Sequence, residues 1–429
     1  MKKQQLLRLL FFAATMIMIQ SCKLDRIDPQ CPVITGMQPN AAYLDEVIKI
    51  TGTGFYIGSP ELYKVTIGSQ SVNVLDVPDS NTLRFKVPPG IGSGTVSVSL
   101  ASGSACNIAQ SIDFIYYYTA TRVSTLFNGL NSPRGLDLDN LGNLVVADSG
   151  NHQIQVIDPL TGTKIKTFGK GGPGSGCDSD PVNINDAHFF PEDIDVDLKG
   201  NIYIAEPSRA IIRWIDPRSP DSVKTYAGKC LSYGIKHDTV PRLDARLTNP
   251  YSVFRDETGN SLYFTDEIGI RKIVNSQVHL PKLRANTERF RGIEINRLRK
   301  DMGPVFVADL GAQSSISFPG SIISVDDNGG TKSLKYDILI SPVALAMDSK
   351  GNIFIADYVA NRILVIYANG VLKALAGTGV WGDNNLEVNG SMANFRGPAG
   401  IAIEEKDGKV VSLYISDSQN DKVKLIKVE

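Results

Sequence analysis

The stretch PRGLDLDNLGNLVVADSGNHQIQVID, from Pro133 to Asp158, contains the pattern that decides the fold of most of this chain. A Gly-Asn turn leads into an apolar run that ends in the small residue Ala147 and the acidic residue Asp148. The same pattern returns five more times, and its acids lie 43 to 60 residues apart: Asp148, Glu206, Asp266, Asp309, Asp357 and Asp417. Repeats of about this length that consist of short strands indicate the blades of a β-propeller.

Each apolar run predicts a strand that is buried on both faces, because apolar and polar residues do not alternate along it. A sheet of such strands needs a neighbour on each side, and blades stacked around an axis provide both neighbours. We expect the six acids to lie at strand ends and to accept backbone N–H hydrogen bonds from the following turns. A ring of metal ligands is the alternative, but it would not require the same small residue before each acid.

Three motifs of the first repeat resemble the NHL repeat, a four-stranded propeller blade: Pro133-Arg134-Gly135, Gly142-Asn143 and Ala147-Asp148-Ser149-Gly150-Asn151-His152. The resemblance implies a six-bladed propeller over residues 122–429. The third and fourth repeats depart from the motif, since Gly303-Pro304 stands in place of Gly-Asn and Phe290-Arg291-Gly292 in place of Pro-x-Gly.

The sixth repeat offers only three strands before the sequence reaches Glu429. The segment Arg122–Phe127, just before the first repeat, has the pattern of an outer strand without a blade of its own. We therefore expect this N-terminal strand to pair with blade six and close the ring, which removes the exposed sheet edges.

Residues 31–118 contain about seven short strand candidates in which apolar and polar residues alternate, for example Val47–Thr51 and Gly94–Leu100. Alternation with turns at intervals of roughly ten residues predicts a β-sandwich. The run Ile50-Thr51-Gly52-Thr53-Gly54-Phe55 and Val87-Pro88-Pro89 resemble the IPT/TIG domain, which implies an immunoglobulin-like fold and a role as a spacer or interaction module. The fold class is thus all-β: an immunoglobulin-like sandwich followed by a six-bladed propeller.

The N-terminus predicts export and lipidation. Lys2, Lys3 and Arg8 precede an apolar run too short to span a bilayer as a helix, and Ile19-Gln20-Ser21-Cys22 resembles a bacterial lipobox. We expect a signal peptide over residues 1–21, a lipidated Cys22 and a tether over residues 22–30. The predicted location is the bacterial outer membrane, facing periplasm or cell surface, with an ordinary secretory signal as the alternative.

The formal net charge is −1, from 44 basic and 45 acidic residues, so no overall field attracts nucleic acid, and none is predicted as a partner. Four cysteines remain besides Cys22. An oxidising compartment permits two disulfides, and the pairing that respects the domain division joins Cys31 with Cys106 and Cys177 with Cys230. The four cysteines allow three connectivities, and the spacing does not choose among them.

The residue types that would support catalysis are sparse. The four histidines, His152, His188, His237 and His279, do not share one position in the repeat, and zinc sites need several His or Cys ligands that converge. No Gly-x-Ser-x-Gly elbow or Walker-type loop is present. The sequence therefore predicts no catalytic residue, cofactor or metal site, although a hard-metal site made of Asp, Asn and carbonyl oxygens stays open.

Binding residues are predicted where each repeat enters its first strand, near the mouth of the central channel. This ring contains Arg134, Glu192, Tyr251 and Arg291 in repeats one to four, and Val343 and Ala399 in repeats five and six. Three long loops join the last strand of one repeat to the first strand of the next, over residues 169–190, 228–249 and 377–396, and they add Phe189, Tyr233 and Trp381. Aromatic rings beside Arg and carboxylate groups suit a sugar, although these aromatic residues could instead pack their own loops.

The sequence thus predicts a lipid-anchored exported protein that binds a glycan or other extracellular ligand on the propeller face without catalysis. Two alternatives are a scaffold that docks proteins on this face and a metal-dependent lyase or lactonase. Architecture alone does not distinguish them.

Overall fold

The computed structural model describes residues 31–89, 91–102, 112–174, 176–234, 239–256, 260–279, 290–295, 305–310, 320–326, 330–383 and 387–429. Two compact units are divided in the sequence between Phe114 and Ile115. No helix among the described residues has the length and apolar character that crossing a bilayer requires. The predictions for residues 1–30, including Cys22, and for Cys106 and His237 fall outside the described residues.

The first unit is a β-sandwich. Its strands are β1 (Val33–Gln38), β2 (Ala41–Ala42), β3 (Val47–Thr53), β4 (Tyr63–Ile67), β5 (Gln70–Val72), β6 (Val74–Asp79), β7 (Thr82–Lys86), β8 (Gly94–Leu100) and β9 (Ile112–Tyr116). One sheet has the order β1-β3-β7-β6, and the other has the order β2-β9-β8-β4-β5. A short 3-10 helix, Pro60–Leu62, precedes β4.

Side chains of this unit alternate between the core and solvent, as the sequence pattern predicts. In β3, Ile48 and Ile50 are buried, whereas Val47 and Lys49 are exposed. Ile48 lies opposite Phe85 and Ile50 opposite Leu83 in the antiparallel pairing with β7, and all four side chains are buried. This period of two is what places one face of each sheet in the core.

The second unit consists of blades. Strand β10 (Ala120–Asn128) precedes them. Blade one contains β11 (Pro133–Leu138), β12 (Leu144–Asp148), β13 (Gln153–Asp158) and β14 (Thr163–Phe168). Strand β15 (Val182–Asn183) joins blade two, which contains β16 (Asp193–Val196), β17 (Ile202–Glu206), β18 (Ile211–Ile215) and β19 (Ser222–Gly228). Strand β20 (Val240–Pro241) joins blade three, which contains β21 (Ser252–Arg255), β22 (Ser261–Asp266), β23 (Gly269–Val274) and β24 (Gln277–His279).

The remaining blades repeat this antiparallel arrangement. Blade four contains β25 (Phe290–Ile295), β26 (Val305–Asp309), β27 (Ser321–Val325) and β28 (Thr331–Leu334). Blade five contains β29 (Pro342–Met347), β30 (Ile353–Asp357), β31 (Arg362–Ile366) and β32 (Leu372–Ala376). Blade six contains β33 (Pro398–Lys406), β34 (Lys409–Asp417) and β35 (Lys422–Val428). Short 3-10 helices are Ser149–Asn151, Pro207–Arg209, Gly390–Met392 and Ser418–Asn420.

The six inner strands form a closed ring. Each of β11, β16, β21, β25 and β29 contacts the next inner strand, and β33 contacts β11. The fourth strand of blade six is β10, which pairs antiparallel with β35 so that Val123 lies opposite Ile426. The predicted closure by the N-terminal strand is therefore confirmed.

The second strand of each blade is the most enclosed. Every residue of β12, β17 and β30 is buried, which confirms the prediction of strands with two apolar faces. Between blades one and two, Val145 and Ile154 pack with Ile194 and Ile204. Similar apolar clusters lie between other neighbouring blades, including blades six and one. Burial of apolar surface between blades is thus the main force that holds the ring together.

The three long loops contribute to the outer edges of blades. Within the first two of them, β15 pairs with β19 and β20 pairs with β24, so that blades two and three each gain a fifth strand. In the third, Val388 forms a bridge with Val123 of β10. These pairings satisfy part of an otherwise open outer edge. The long loops therefore have a structural role in addition to any binding role.

The closing acids accept backbone hydrogen bonds, as predicted, but most donors lie elsewhere. Asp148 accepts from the N–H of Asn131 at 2.8 Å, and Asp417 accepts from that of Arg396 at 2.6 Å. Glu206, Asp266 and Asp357 also accept from the loop that precedes the blade. The prediction named the following turn, which is right for the Ile268 N–H bonded to Asp266. Most of these N–H donors lie in the preceding loop, because this loop bends beside the end of the second strand before the chain enters the first strand of the blade.

Three blades pair the closing acid with a buried cation from the third strand. The cations are Arg213, Arg271 and Lys424. Arg271 lies 2.9 Å from Asp266, and it also donates to the carbonyl of Arg246 at 3.0 Å. Both side chains of this pair are almost fully buried. The cation therefore connects the strand, the acid and the loop in one place.

Removing only one partner of the Arg271–Asp266 pair leaves the other charge buried without compensation. We expect Arg271→Met to lower the free energy of unfolding by about 3–5 kcal/mol, and Asp266→Asn combined with it to restore part of the loss. Chemical denaturation followed by tryptophan fluorescence measures this effect in the propeller, since both tryptophans, Trp214 and Trp381, lie there.

The matched control is Arg218→Met, which removes an arginine whose side chain is 81% exposed and pairs with Asp216. We expect that substitution to cost less than about 1 kcal/mol. Equal losses for the two arginine variants would contradict the structural role assigned to the buried pair.

Candidate binding site at the mouth of the propeller channel

The inner strands surround a cavity of about 640 Å³ along the axis of the ring. Inner strands of all six blades line it. At one end lie the residues that occupy the first position of each repeat, and the sequence prediction named this ring: Arg134, Glu192, Tyr251, Arg291, Val343 and Ala399. All six are half-buried and line the cavity. We call this end of the cavity the channel mouth.

The ring positions converge because the inner strands approach each other closely. A Cβ atom at Gly135 would lie 2.0 Å from the Asp193 carboxyl of blade two. A Cβ atom at Gly400 would lie 2.4 Å from the backbone carbonyl oxygen of Arg134 in blade one. Glycine at these two positions therefore permits blade contacts that other residues would block.

The channel mouth is polar on one side. The Arg134 guanidinium lies 3.9 Å from the Glu192 carboxylate and 5.9 Å from the ring centre of Tyr358. The Arg291 guanidinium lies 3.6 Å above the ring centre of Tyr251. Burial lowers the pKa of Arg291 and raises that of Tyr251. Both groups are thus partly shielded from water. Hydrogen bonds and charge contacts that a ligand makes in such a place are stronger than in bulk water.

Sequence reasoning missed two residues that line the cavity near this end, Tyr358 and Leu310. Each directly follows the closing acid of its repeat. The tyrosine hydroxyl accepts a hydrogen bond from the amide of Gln419 at 2.8 Å, which fixes the ring in place. An alignment of the repeats at the position after the acid could have identified both residues.

Below the mouth, carboxyl groups connect neighbouring blades. Asp137 accepts from the backbone N–H of Val196 at 2.8 Å, and Asp195 accepts from that of Arg255 at 2.9 Å. Asp193 and Glu294 make equivalent bonds to blades three and five. Inner strands are sheet edges, so their channel-facing N–H groups have no further strand to pair with. The acids satisfy these groups and link one blade to the next.

Two of these carboxyl groups, those of Asp193 and Asp195, have raised pKa values. Burial raises the pKa of Asp193 to about 7, although hydrogen bonds from Ser252 and Val253 oppose the shift. Burial raises the pKa of Asp195 as well, and the nearby Asp137 raises it further. The inner channel consequently carries less negative charge at neutral pH than its number of acids suggests.

The three loop aromatics do not join the ring residues. Phe189 is fully buried in the core between blades one and two, where the Arg213 guanidinium lies 5.2 Å from its ring centre. Its ring is therefore unavailable to a ligand, and the alternative reading, loop packing, is right for this residue. The Phe189 side chain lies in the apolar core because the loop turns inward at Ala187, which is also buried.

Tyr233 and Trp381 are exposed but lie outside the cavity lining. The Tyr233 hydroxyl donates to the Ser208 carbonyl at 2.5 Å, so it is bound to its own blade. Trp381 is 64% exposed and stacks under the Arg396 guanidinium at 4.7 Å. Trp381 thus remains a surface candidate beside the mouth, whereas Tyr233 belongs to a loop contact.

Cys177 and Cys230 form a disulfide, the pairing that the sequence favoured for this domain. It joins two long loops and holds Asp178 beside Arg209 and Arg213, at 3.2 and 2.9 Å. His188 also contacts Asp178, at 3.1 Å. Over the described ranges, no three His, Cys, Asp or Glu side chains are grouped closely enough to bind one metal ion.

Comparison with known proteins agrees with this architecture. The family model of the IPT/TIG domain matches residues 32–116, and that of the NHL repeat matches residues 130–157. Residues 32–116 thus match the IPT/TIG domain, and the first blade of the propeller matches the NHL repeat. No curated protein sequence matches it.

Three of the similar solved structures come from Bacteroides. A protein of unknown function from Bacteroides thetaiotaomicron is 15% identical with a TM-score of 0.57, over 94% of this chain and 99% of that one. Auxiliary nutrient binding proteins from Bacteroides thetaiotaomicron and Bacteroides ovatus are each 14% identical with TM-scores of 0.50. They cover 94% and 93% of this chain, and 99% and 98% of their own. At this identity the likeness establishes the shared fold.

The raised pKa of Asp193 predicts a pH-dependent contribution to stability. The folded state keeps the proton up to about pH 7, whereas the unfolded state releases it near pH 4, so this contribution is present below pH 4 and is lost as the pH rises to 7. Asp193→Asn should therefore stabilise the protein by about 1–2 kcal/mol at pH 8 and have little effect at pH 3.5. This change in stability is smaller than the full difference between the folded and unfolded pKa values would give, because Asp193 keeps an exposed edge toward the channel.

Thermal unfolding at several pH values measures this difference. Asp158→Asn is the contrasting control, because hydrogen bonds from Thr161 and Leu160 lower the pKa of Asp158. That variant should be less stable than the parent above about pH 4, and the difference should shrink as the pH falls below 4. The same response in both variants would refute the assignment for Asp193.

Proposed function

We propose that this protein is a lipid-anchored, exported binding protein that captures a glycan at the channel mouth and does not alter it chemically. The observation that carries the proposal is the composition of the mouth. Blades one to four contribute two arginines, one glutamate and Tyr251 to the lining of an open cavity, and blades five and six contribute Val343, Tyr358 and Ala399. Hydrogen-bonding groups for hydroxyls thus line the same cavity as aromatic rings and apolar side chains for the face of a sugar.

The structural likeness to two auxiliary nutrient binding proteins supports a binding role, as an analogy at the level of fold. The mouth also lies on a rigid scaffold of inner strands linked by the Asp137, Asp193, Asp195 and Glu294 carboxyl groups. A preorganised site reduces the entropy that ligand binding must overcome. Both features favour a site that binds a ligand without a large change in the conformation of the protein.

Glycan binding can be tested with the purified protein on a glycan array, followed by calorimetry with each positive saccharide. Tyr251→Ala and Tyr358→Ala should each weaken binding about tenfold, since each removes a ring at the mouth. Tyr233→Ala is the matched control, because that tyrosine lies outside the cavity, and it should leave the affinity unchanged. Chemical conversion of a bound saccharide, or no binding on the array, would contradict the proposal.

A protein-docking scaffold is the second candidate. It is favoured by exposed apolar side chains on the neighbouring loops, where Val359, Val380 and Trp381 are 57%, 63% and 64% exposed. The two loops lie close together, since a Cβ atom at Gly379 would lie 3.7 Å from the backbone carbonyl oxygen of Ala360. Trp381→Ala should weaken protein docking on this surface but leave saccharide binding at the mouth intact.

The proposed location at the bacterial outer membrane depends on Cys22, for which the lipobox-like sequence is the support. We expect Cys22→Ser to release the protein from the membrane fraction and to abolish labelling by a radioactive fatty acid. Ser21→Thr, a conservative change at the neighbouring position, serves as the control for processing. Membrane association that persists in Cys22→Ser would exclude lipidation as the anchor.

A further inference from the structure

We infer that the ligand of the channel mouth carries a carboxylate, as an acidic sugar does, and that Arg134 and Arg291 bind it. This inference rests on the proposed glycan-binding function and specifies the class of glycan. It follows from the charges at the mouth, the contacts of the two arginines and the protonation of the acids below them.

The Glu192 carboxylate acts electrostatically on both guanidinium groups but is in close contact with neither. Arg134 lies 3.9 Å from Glu192, which is longer than a hydrogen-bonded ion pair. Arg291 donates to the Phe290 carbonyl at 3.2 Å and stacks on Tyr251. Across the part of the chain that is described, no carboxylate lies within 4.0 Å of the Arg291 guanidinium. Two cations and one anion leave a net positive charge at the mouth.

This positive charge is only partly exposed to water. Burial lowers the pKa of Arg291, and the proximity of Arg134 lowers it further, although Tyr251 and Glu192 oppose both effects. A half-buried cation without a carboxylate in contact is costly, and a bound anion with two oxygen atoms would compensate it. The two arginines therefore offer positive charge to an anionic ligand group at the mouth.

The acids deeper in the channel do not remove this preference. Asp193 and Asp195 each direct one carboxyl oxygen at a backbone N–H of blade three. Their raised pKa values reduce their negative charge at neutral pH. An anionic ligand group therefore contacts the two arginines at the mouth. The channel carboxyl groups that stay ionised repel it from the deeper part of the cavity.

A sugar fits the rest of the mouth better than a peptide does. Tyr358 is held by Gln419 at 2.8 Å, and its ring lies against Gly397, which has no side chain. Val343 and Ala399 line the same cavity. A flat pyranose with one carboxylate can contact the arginines and an aromatic ring together, whereas a peptide would need pairing partners for its own backbone.

Calorimetry with the full-length mature protein tests the inference with matched saccharides. The probes are oligomers of galacturonic, glucuronic and mannuronic acid, together with the same oligomers after chemical reduction of their carboxyl groups. We expect at least one acidic oligomer to bind ten or more times more tightly than its reduced form, and the difference to shrink at high salt.

Variants then identify the groups responsible. Arg134→Met and Arg291→Met should each weaken binding of the acidic oligomer at least tenfold, and Arg291→Lys should retain part of it because the charge remains. Glu192→Gln should strengthen binding of the acidic oligomer several-fold, since it removes the competing carboxylate. Arg218→Met, at an exposed arginine far along blade two, is the matched control and should have no effect. Thermal unfolding of each variant confirms that it is folded.

The outcomes separate this inference from the proposed function. Equal binding of acidic and reduced oligomers, or binding of neutral saccharides alone, would overturn the inference but leave glycan capture standing. Binding of acidic peptides with no binding of any saccharide would overturn both. Weaker binding in Glu192→Gln would also contradict the inference, because the carboxylate would then be a partner of the ligand.

Discussion

Each blade of this propeller has two apolar faces, and a closed ring is the arrangement that covers all of them. Strands such as β12 and β30 are buried along their whole length, so an isolated blade would expose apolar side chains on both sides. The interblade clusters bury these side chains against a neighbour. Pairing of β10 with β35 completes blade six, so that the last apolar faces and the outer edge are covered together.

Closing the ring creates a second constraint at its centre. Inner strands are sheet edges, and their N–H groups face the channel without a further strand to pair with. Carboxyl groups such as those of Asp137 and Asp195 accept these N–H groups from the next blade. This arrangement adds specific contacts between blades, but it also buries acids and raises the pKa of Asp195. The axis of the propeller is therefore both a structural joint and a site with unusual electrostatics.

The candidate site lies where these acids end and the arginines begin. Arg134 and Arg291 sit at the mouth, where the burial is partial, and Glu192 stands between them. Blades five and six contribute Val343 and Ala399 at the equivalent positions. The side chains at the mouth thus differ from blade to blade on a nearly symmetric scaffold.

The sequence by itself determined the repeats, the number of blades, the sandwich and the N-terminal closing strand. These follow from local patterns, because period-two alternation and runs such as Leu144–Val146 report how many faces of a strand are buried. The position of Arg134 or Glu192 in its repeat predicts a side chain near the mouth of the channel, and both residues line the cavity. Strand bounds in blade one, such as β12 at Leu144–Asp148, also follow from this pattern.

Only the tertiary structure decided which loop side chains are exposed to solvent and which are buried. Phe189 and Trp381 occupy similar long loops, yet one is fully buried and the other is 64% exposed. Their local sequences do not distinguish them, because burial depends on the neighbouring blade and on partners such as Arg213. The donors to the closing acids and the interblade role of Asp193 likewise depend on residues distant in sequence. Contacts of this kind arise when the ring closes, and no local pattern encodes them.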